Sequence, residues 1–143
     1  MRNGRRRSAS RLLGGNAVVV FACAASAGAH AGLVPAHLST EPCLGAAFMV
    51  AVGLLTAAAA ALATRIPDRR ISGAAALLLA GLMVAYIASR TTGIPLLESE
   101  REAVDGVGIA TNVVEAIGLA FALWRIQAAG PLRQPSPLQE VSR

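Results

Sequence analysis

The sequence predicts an all-α membrane protein, an up-down four-helix transmembrane bundle with both termini cytoplasmic. Three observations carry this. Apolar residues make up 55% of the 143-residue chain, and they gather in four blocks instead of alternating with polar residues as in a soluble domain. The blocks lie at about 12–31, 43–64, 71–89 and 104–124, close to the roughly 20 residues that a helix needs to cross a bilayer. The 13 basic residues, all arginine, are distributed unevenly around those blocks. Arg2, Arg5, Arg6, Arg7 and Arg11 precede the first, Arg65, Arg69 and Arg70 lie between the second and third, and Arg125, Arg133 and Arg143 follow the fourth. Only Arg90 and Arg101 fall on the other side. Positive charge marks the cytoplasmic face of a multi-span protein, so the polar stretch 30–42 and the loop 91–104 face outward.

The first span, 12–31, carries the pair Gly28 and Gly32, spaced for close helix approach. The opening 31 residues also resemble a secretory signal, with a charged start and an Ala-His-Ala end. Their apolar block is longer than the usual ~7–15 residues of such a signal, so it is expected to stay as a span. Pro35 is expected to interrupt the first helix. The segment "AHLSTEP" then forms a turn or interfacial helix, with Ser39 or Thr40 as a cap and Pro42 opening the second helix.

In the second span Gly45, Gly53, Ala57 and Ala61 recur at multiples of four, which predicts a smooth packing stripe. "RIPDRR" is a tight cytoplasmic turn, and Ser72 or Gly73 opens the third helix. Gly81, Ala85 and Ser89 continue the small-residue spacing, and Gly93 and Pro95 end that helix. The fourth runs from about Val104 to the Trp124–Arg125 pair, which has the character of an interface anchor. Residues 1–11 form a basic cytoplasmic N-terminus, and residues 126–143, rich in Pro, Ser and Gln, a disordered cytoplasmic tail.

Polar groups inside spans are the informative ones, because an ionised side chain at mid-bilayer is costly and turns toward the bundle interior. Glu115 sits about 11 residues into the fourth span, or roughly 16 Å along a helix. Asn112 and Asp105 precede it within an arc of roughly 80° on a helical wheel. His30 ends the first span, His37 and Glu41 follow four residues apart, and Arg90 ends the third span. Antiparallel helices collect His30, His37, Glu41, Arg90, Asp105, Asn112 and Glu115 at one end of the bundle. Arg90 is expected to pair with Asp105 or Glu115, since a buried charge needs a partner.

A metal site needs three or four ligands. His37 and Glu41 are the candidate pair, with His30 and Asp105 available to add to it. A metal ion or haem is therefore a candidate cofactor, against the alternative that both histidines make ordinary hydrogen bonds near lipid headgroups. Glu115 is a candidate for proton transfer, or else for an interhelical hydrogen bond that fixes packing. The three glutamates of "LLESERE" are expected to be a solvated loop. Cys23 and Cys43 lie at depths too different for a disulfide. A pI near 11.0 would suit nucleic acid, but arginines that flank spans serve topology and anionic lipid instead, so no nucleic-acid partner is expected.

The segments "AHLSTEPCLGAAF" and "YIASRTTGIPLLESEREAVDGVGIATNVVEAIGLAFAL" resemble a group of uncharacterised small bacterial four-span integral membrane proteins with a Ser-Arg-Thr-x-Gly-x-Pro turn. The matching positions are His37, Glu41, Gly45, Ser89, Arg90, Thr91, Gly93, Pro95, Asp105 and Glu115, within roughly residues 37–125. The resemblance implies a four-span protein and no particular activity.

The functional expectation is a non-catalytic, multi-pass protein of the inner (plasma) membrane. Its outward-facing polar cluster binds a small ligand, metal or proton, or stabilises the bundle. Two alternatives are an assembly partner, as a homo-oligomer or in a larger membrane complex, and a subunit of a membrane enzyme or transporter. Few polar groups in the inner half of the bundle speak for the last.

Overall fold

The computed structural model describes residues 2–64, 68–94 and 102–128, with side chains in the first helix from Gly14 onward. Four helices follow in order: α1 (Arg2–Thr40), α2 (Pro42–Thr64), α3 (Arg69–Thr91) and α4 (Gly106–Ala128). The apolar part of α1, Gly14–Thr40, has 27 residues and each other helix 23. At 1.5 Å per residue these reach about 34 Å or more, enough for a hydrocarbon core of about 30 Å. All four are long and apolar enough to cross a membrane, which is compatible with an integral membrane protein.

Cross-helix contacts show the antiparallel course. Asn16 of α1 meets Leu62 of α2, while His37 meets Phe48. Arg125 of α4 meets Asn16, while Glu115 meets Ser26. Arg90 of α3 meets Asp105 beside the start of α4. α1 packs mainly on α2 and α4, and α3 mainly on α4, so the seam between α2 and α3 is the loosest.

The core combines alanines with a few leucines. Val19, Cys23 and Ala27 of α1 meet Leu55, Ala59 and Leu62 of α2, Ala75, Ala76 and Leu79 of α3, and Ala122 of α4. Gly118 marks a close approach of α4 to α1: a Cβ there would lie 2.5 Å from the Ala22 Cβ. Large apolar side chains such as Phe21, Val50, Leu77 and Val107 stay on the outside, as suits helices that face lipid.

Several boundaries differ from those expected. α1 does not stop before Pro35 but continues through it to Thr40. Proline leaves one carbonyl a turn earlier without its usual donor, a loss that membrane helices tolerate when their neighbours support them. Here the last turn of α1 rests on the first turn of α2. A Cβ at Gly45 would lie 2.7 Å from the Leu38 nitrogen. Ser39 and Thr40 do not cap α2, because both hydroxyls donate back to the Ala36 carbonyl. Glu41 is the single residue between the helices. Its N–H donates to the His37 carbonyl and its own carbonyl accepts from Gly45. Pro42 opens α2, as expected.

α3 begins earlier than Ser72: Asp68 caps it, its side chain accepting from the Arg70 N–H at 2.8 Å. Gly93 follows α3 with φ 74°, a backbone that glycine adopts freely. α4 begins after Asp105 rather than at Val104, and it runs through residues 126–128. The remainder of the expected tail, 129–143, lies outside the described residues, as do Pro95, most of "LLESERE" and residues 65–67 of "RIPDRR".

The expected small-residue stripes largely do not pack. Nothing lies within 4 Å of a Cβ added at Gly28, Gly32, Gly53 or Gly81. Four residues turn a helix by about 400°, so a repeat of four drifts by ~40° per step and leaves the contact face. The face of α2 that does pack is Leu44, Gly45, Ala51, Leu55, Ala59 and Leu62, so of the expected stripe's glycines only Gly45 is on it.

Candidate functional site

The polar residues singled out from the sequence come together at one end of the bundle, around a cavity of about 530 Å³. His30 and His37 of α1, Arg90 of α3, and Asp105, Asn112 and Glu115 at or on α4 border it. Phe48, Leu44, Leu33 and Leu82 supply apolar wall. Glu41 is close by in the α1–α2 connection, with Oε2 buried and without a hydrogen-bond partner among the described residues.

Arg90 organises the mouth. Its guanidinium forms an ion pair with Glu102 and a second with Asp105, the latter at 3.0 Å. It also donates to the Ser89 hydroxyl at 3.2 Å and lies over the Tyr86 ring, 4.7 Å from its centre. The expected pairing with Asp105 is present. The pairing with Glu115 is not, because Arg90 points to the loop side of the cavity.

Glu102 is the main residue that sequence reasoning missed. It belongs to the stretch expected to be a solvated loop. Instead its backbone N–H donates to the Ser89 carbonyl at 3.1 Å, which fixes the carboxylate beside Arg90. The local signal was weak, since three glutamates alternate in that loop and only the folded chain selects one. His37 Nε2 lies 3.5 Å from Glu102 Oε1. His37 Nδ1 is 3.0 Å from the Leu33 carbonyl and must donate to it, so Nε2 is the ring's other nitrogen. The contact with Glu102 becomes an ion pair only when His37 carries both protons.

Asp105 does two things. Its Oδ1 accepts from the Gly108 N–H at 2.7 Å, which caps α4, and its Oδ2 accepts from Arg90. The Gly108 N–H foremost, with Arg90, holds its carboxyl below the usual carboxylate range, against a smaller opposing effect of lost hydration. Asp105 is thus a capping residue rather than a member of a polar helix stripe. Asn112 donates to the Gly108 carbonyl at 3.1 Å on its own helix.

At the floor, Glu115 is 1% exposed. Ser26 of α1 donates its hydroxyl to Glu115 Oε1 at 2.5 Å. Ser26 was not anticipated. A signal existed: Ser26, Leu33 and both histidines fall within about 60° on one face of α1. His30 Nδ1 donates to the Ser26 carbonyl at 2.8 Å and sits 3.4 Å from its hydroxyl. The rings of both histidines pack against Phe48, with centroids 5.4 and 4.9 Å away.

The chain matches no protein-family model, no curated protein and no solved structure. What the site can do therefore rests on its geometry. Among the described residues, no group of three or more His, Cys, Asp or Glu side chains is placed to hold a metal ion. His30 and His37 stand seven positions apart on α1, and the Nδ1 of each is engaged by a backbone carbonyl of its own helix. Both cysteines are free, Cys23 buried and Cys43 exposed.

The opposite end carries a second unexpected polar group. Arg125 is 3% exposed and donates to Asn16 Oδ1, and Asn16 donates in turn to the Leu62 carbonyl at 2.6 Å. Arg125 thus ties α4, α1 and α2 together from inside the bundle. It is more than an interface anchor, and the inner half of the bundle is not free of charge.

Proposed function

We propose that this chain is a multi-pass protein of the inner (plasma) membrane that binds a small ligand in a polar-mouthed cavity and performs no catalysis of its own. The mouth faces outward and both termini face the cytoplasm. The arginine distribution supports that orientation. One observation carries the function: a cavity of about 530 Å³, within the usual size range for small-molecule sites, whose wall is largely apolar and whose polar groups come from α1, α3, α4 and the segment before α4. Ser89 and Arg90 of the Ser-Arg-Thr turn both line this cavity. A purely structural cluster would have little reason to enclose space.

The test is thermal unfolding of the purified chain with three probes of similar bulk and different charge: tetraphenylborate, triphenylphosphine oxide and tetraphenylphosphonium. At least one raises the midpoint by about 2–4 °C at saturation. Ala47→Trp, which fills the cavity, abolishes that rise. If none of the three moves the wild-type midpoint, or if the filled variant responds equally, the cavity is not a binding site.

A second function, assembly with another membrane chain, is favoured by Gly28 and Gly32. They lie exposed on α1 with nothing packed on them, and small residues of this spacing allow close helix approach in lipid.

A further inference from the structure

We infer that the cavity is selective for a hydrophobic organic cation, with the Glu115 carboxylate as its counter-charge. This rests on the binding function proposed above and adds the ligand's chemistry. The first observation is an imbalance of charge. Among the described residues that border the cavity, one guanidinium, Arg90, stands against three carboxylates, Glu102, Asp105 and Glu115. Arg90 is already engaged by Glu102 and Asp105 together, so its charge is more than balanced, although its buried Nε–H has no hydrogen-bond partner among the described residues.

The second observation is the position of Glu115. None of the ion pairs formed among the described residues reaches it. Its Oε1 accepts from the Ser26 hydroxyl, which is neutral. A buried carboxyl group in that situation either keeps its proton or takes a cation. Glu115, although 1% exposed, is among the residues that line the cavity, so its charge acts across a short distance on a cation held there.

The third observation is the wall. Leu33, Leu44, Phe48 and Leu82 surround the path to Glu115. A small hydrated metal ion gains nothing from such a wall, and no cluster of three ligating side chains is present among the described residues to replace its water. A bulky cation with apolar substituents matches both the wall and the charge. The Tyr86 hydroxyl, buried and without a hydrogen-bond partner among the described residues, adds a polar contact higher in the same space.

Equilibrium dialysis of the full-length chain in detergent, with tetraphenylphosphonium and its uncharged analogue triphenylphosphine oxide, tests this. The wild type should bind the cation at least about tenfold more tightly than the neutral probe, a difference near 1.4 kcal/mol. Glu115→Gln keeps an oxygen for Ser26 and removes the charge. It should erase the preference while affinity for the neutral probe is retained, which shows that the variant is folded. Glu115→Asp should keep part of the preference. Equal binding of both probes by the wild type, or an undiminished preference in Glu115→Gln, overturns the cation assignment and leaves the binding cavity standing. Failure of both probes to bind the wild type overturns the cation assignment, and the cavity falls with it if tetraphenylborate also leaves the unfolding midpoint unmoved.

Discussion

Asp105 shows how much one side chain can decide in this fold. Its two oxygens serve two elements, one capping α4 through Gly108 and one holding Arg90 at the end of α3. Because the folded state lowers its pKa below the ordinary value of 3.8, its contribution to stability is fully present above that value. It is lost as the pH falls through the lower folded value. The unfolding midpoint should therefore drop as the pH falls below the ordinary value of 3.8. Asp105→Asn, which still caps but does not titrate, should make that drop shallower. An unchanged pH profile in the variant would mean that Asp105 contributes nothing to acid sensitivity. Glu115 and Arg125 work in the opposite setting, deep in the bundle, where each is matched by one neutral polar side chain from α1. Burial makes the choice of partner consequential there, since a polar group without one is costly.

At the scale of elements, packing selects a few glycines and ignores the rest. Gly45 lets the backbone at Leu38 approach the first turn of α2, and a methyl group there meets backbone that cannot rotate away. Gly45→Ala should cost about 1–3 kcal/mol, read as a lower midpoint in unfolding by dodecyl sulfate. Gly28→Ala, with open space around it, should fall within about 0.5 kcal/mol of wild type or be slightly stabilising. Equal costs at the two positions would contradict the α1–α2 contact described. The same contact explains why α1 runs past Pro35. The helix end has a neighbour to rest on, and the single residue Glu41 then turns the chain directly into α2.

At the scale of the whole molecule, the arrangement places polar groups at both ends of a bundle with an apolar outside. One end has a cavity and an ion-pair cluster, and the other has the Arg125–Asn16 tie. The proposed orientation is checked by single cysteines in a background in which Cys23 and Cys43 are replaced by alanine. Ser39→Cys should react with a membrane-impermeant maleimide added to intact cells. Asp68→Cys should react only after the membrane is opened. The reverse pattern would turn the cavity toward the cytoplasm and remove the outward-facing site from the proposal.

The sequence by itself determined the four apolar helices, their approximate spans and the gathering of His30, His37, Arg90, Asp105 and Glu115 at one end. Each of those follows from local composition and from connections short enough to force neighbouring helices antiparallel. Which side chains touch was decided only by the tertiary structure. The partnership of Glu115 with Ser26, the choice of Glu102 from three glutamates, the burial of Arg125 on Asn16 and the exposure of Gly28 all depend on how each helix is rotated about its axis. In a membrane helix the lipid-facing and core-facing sides are both apolar. Hydropathy then carries little information about rotation, and the close fit of small residues such as Gly45 and Gly118 sets it instead.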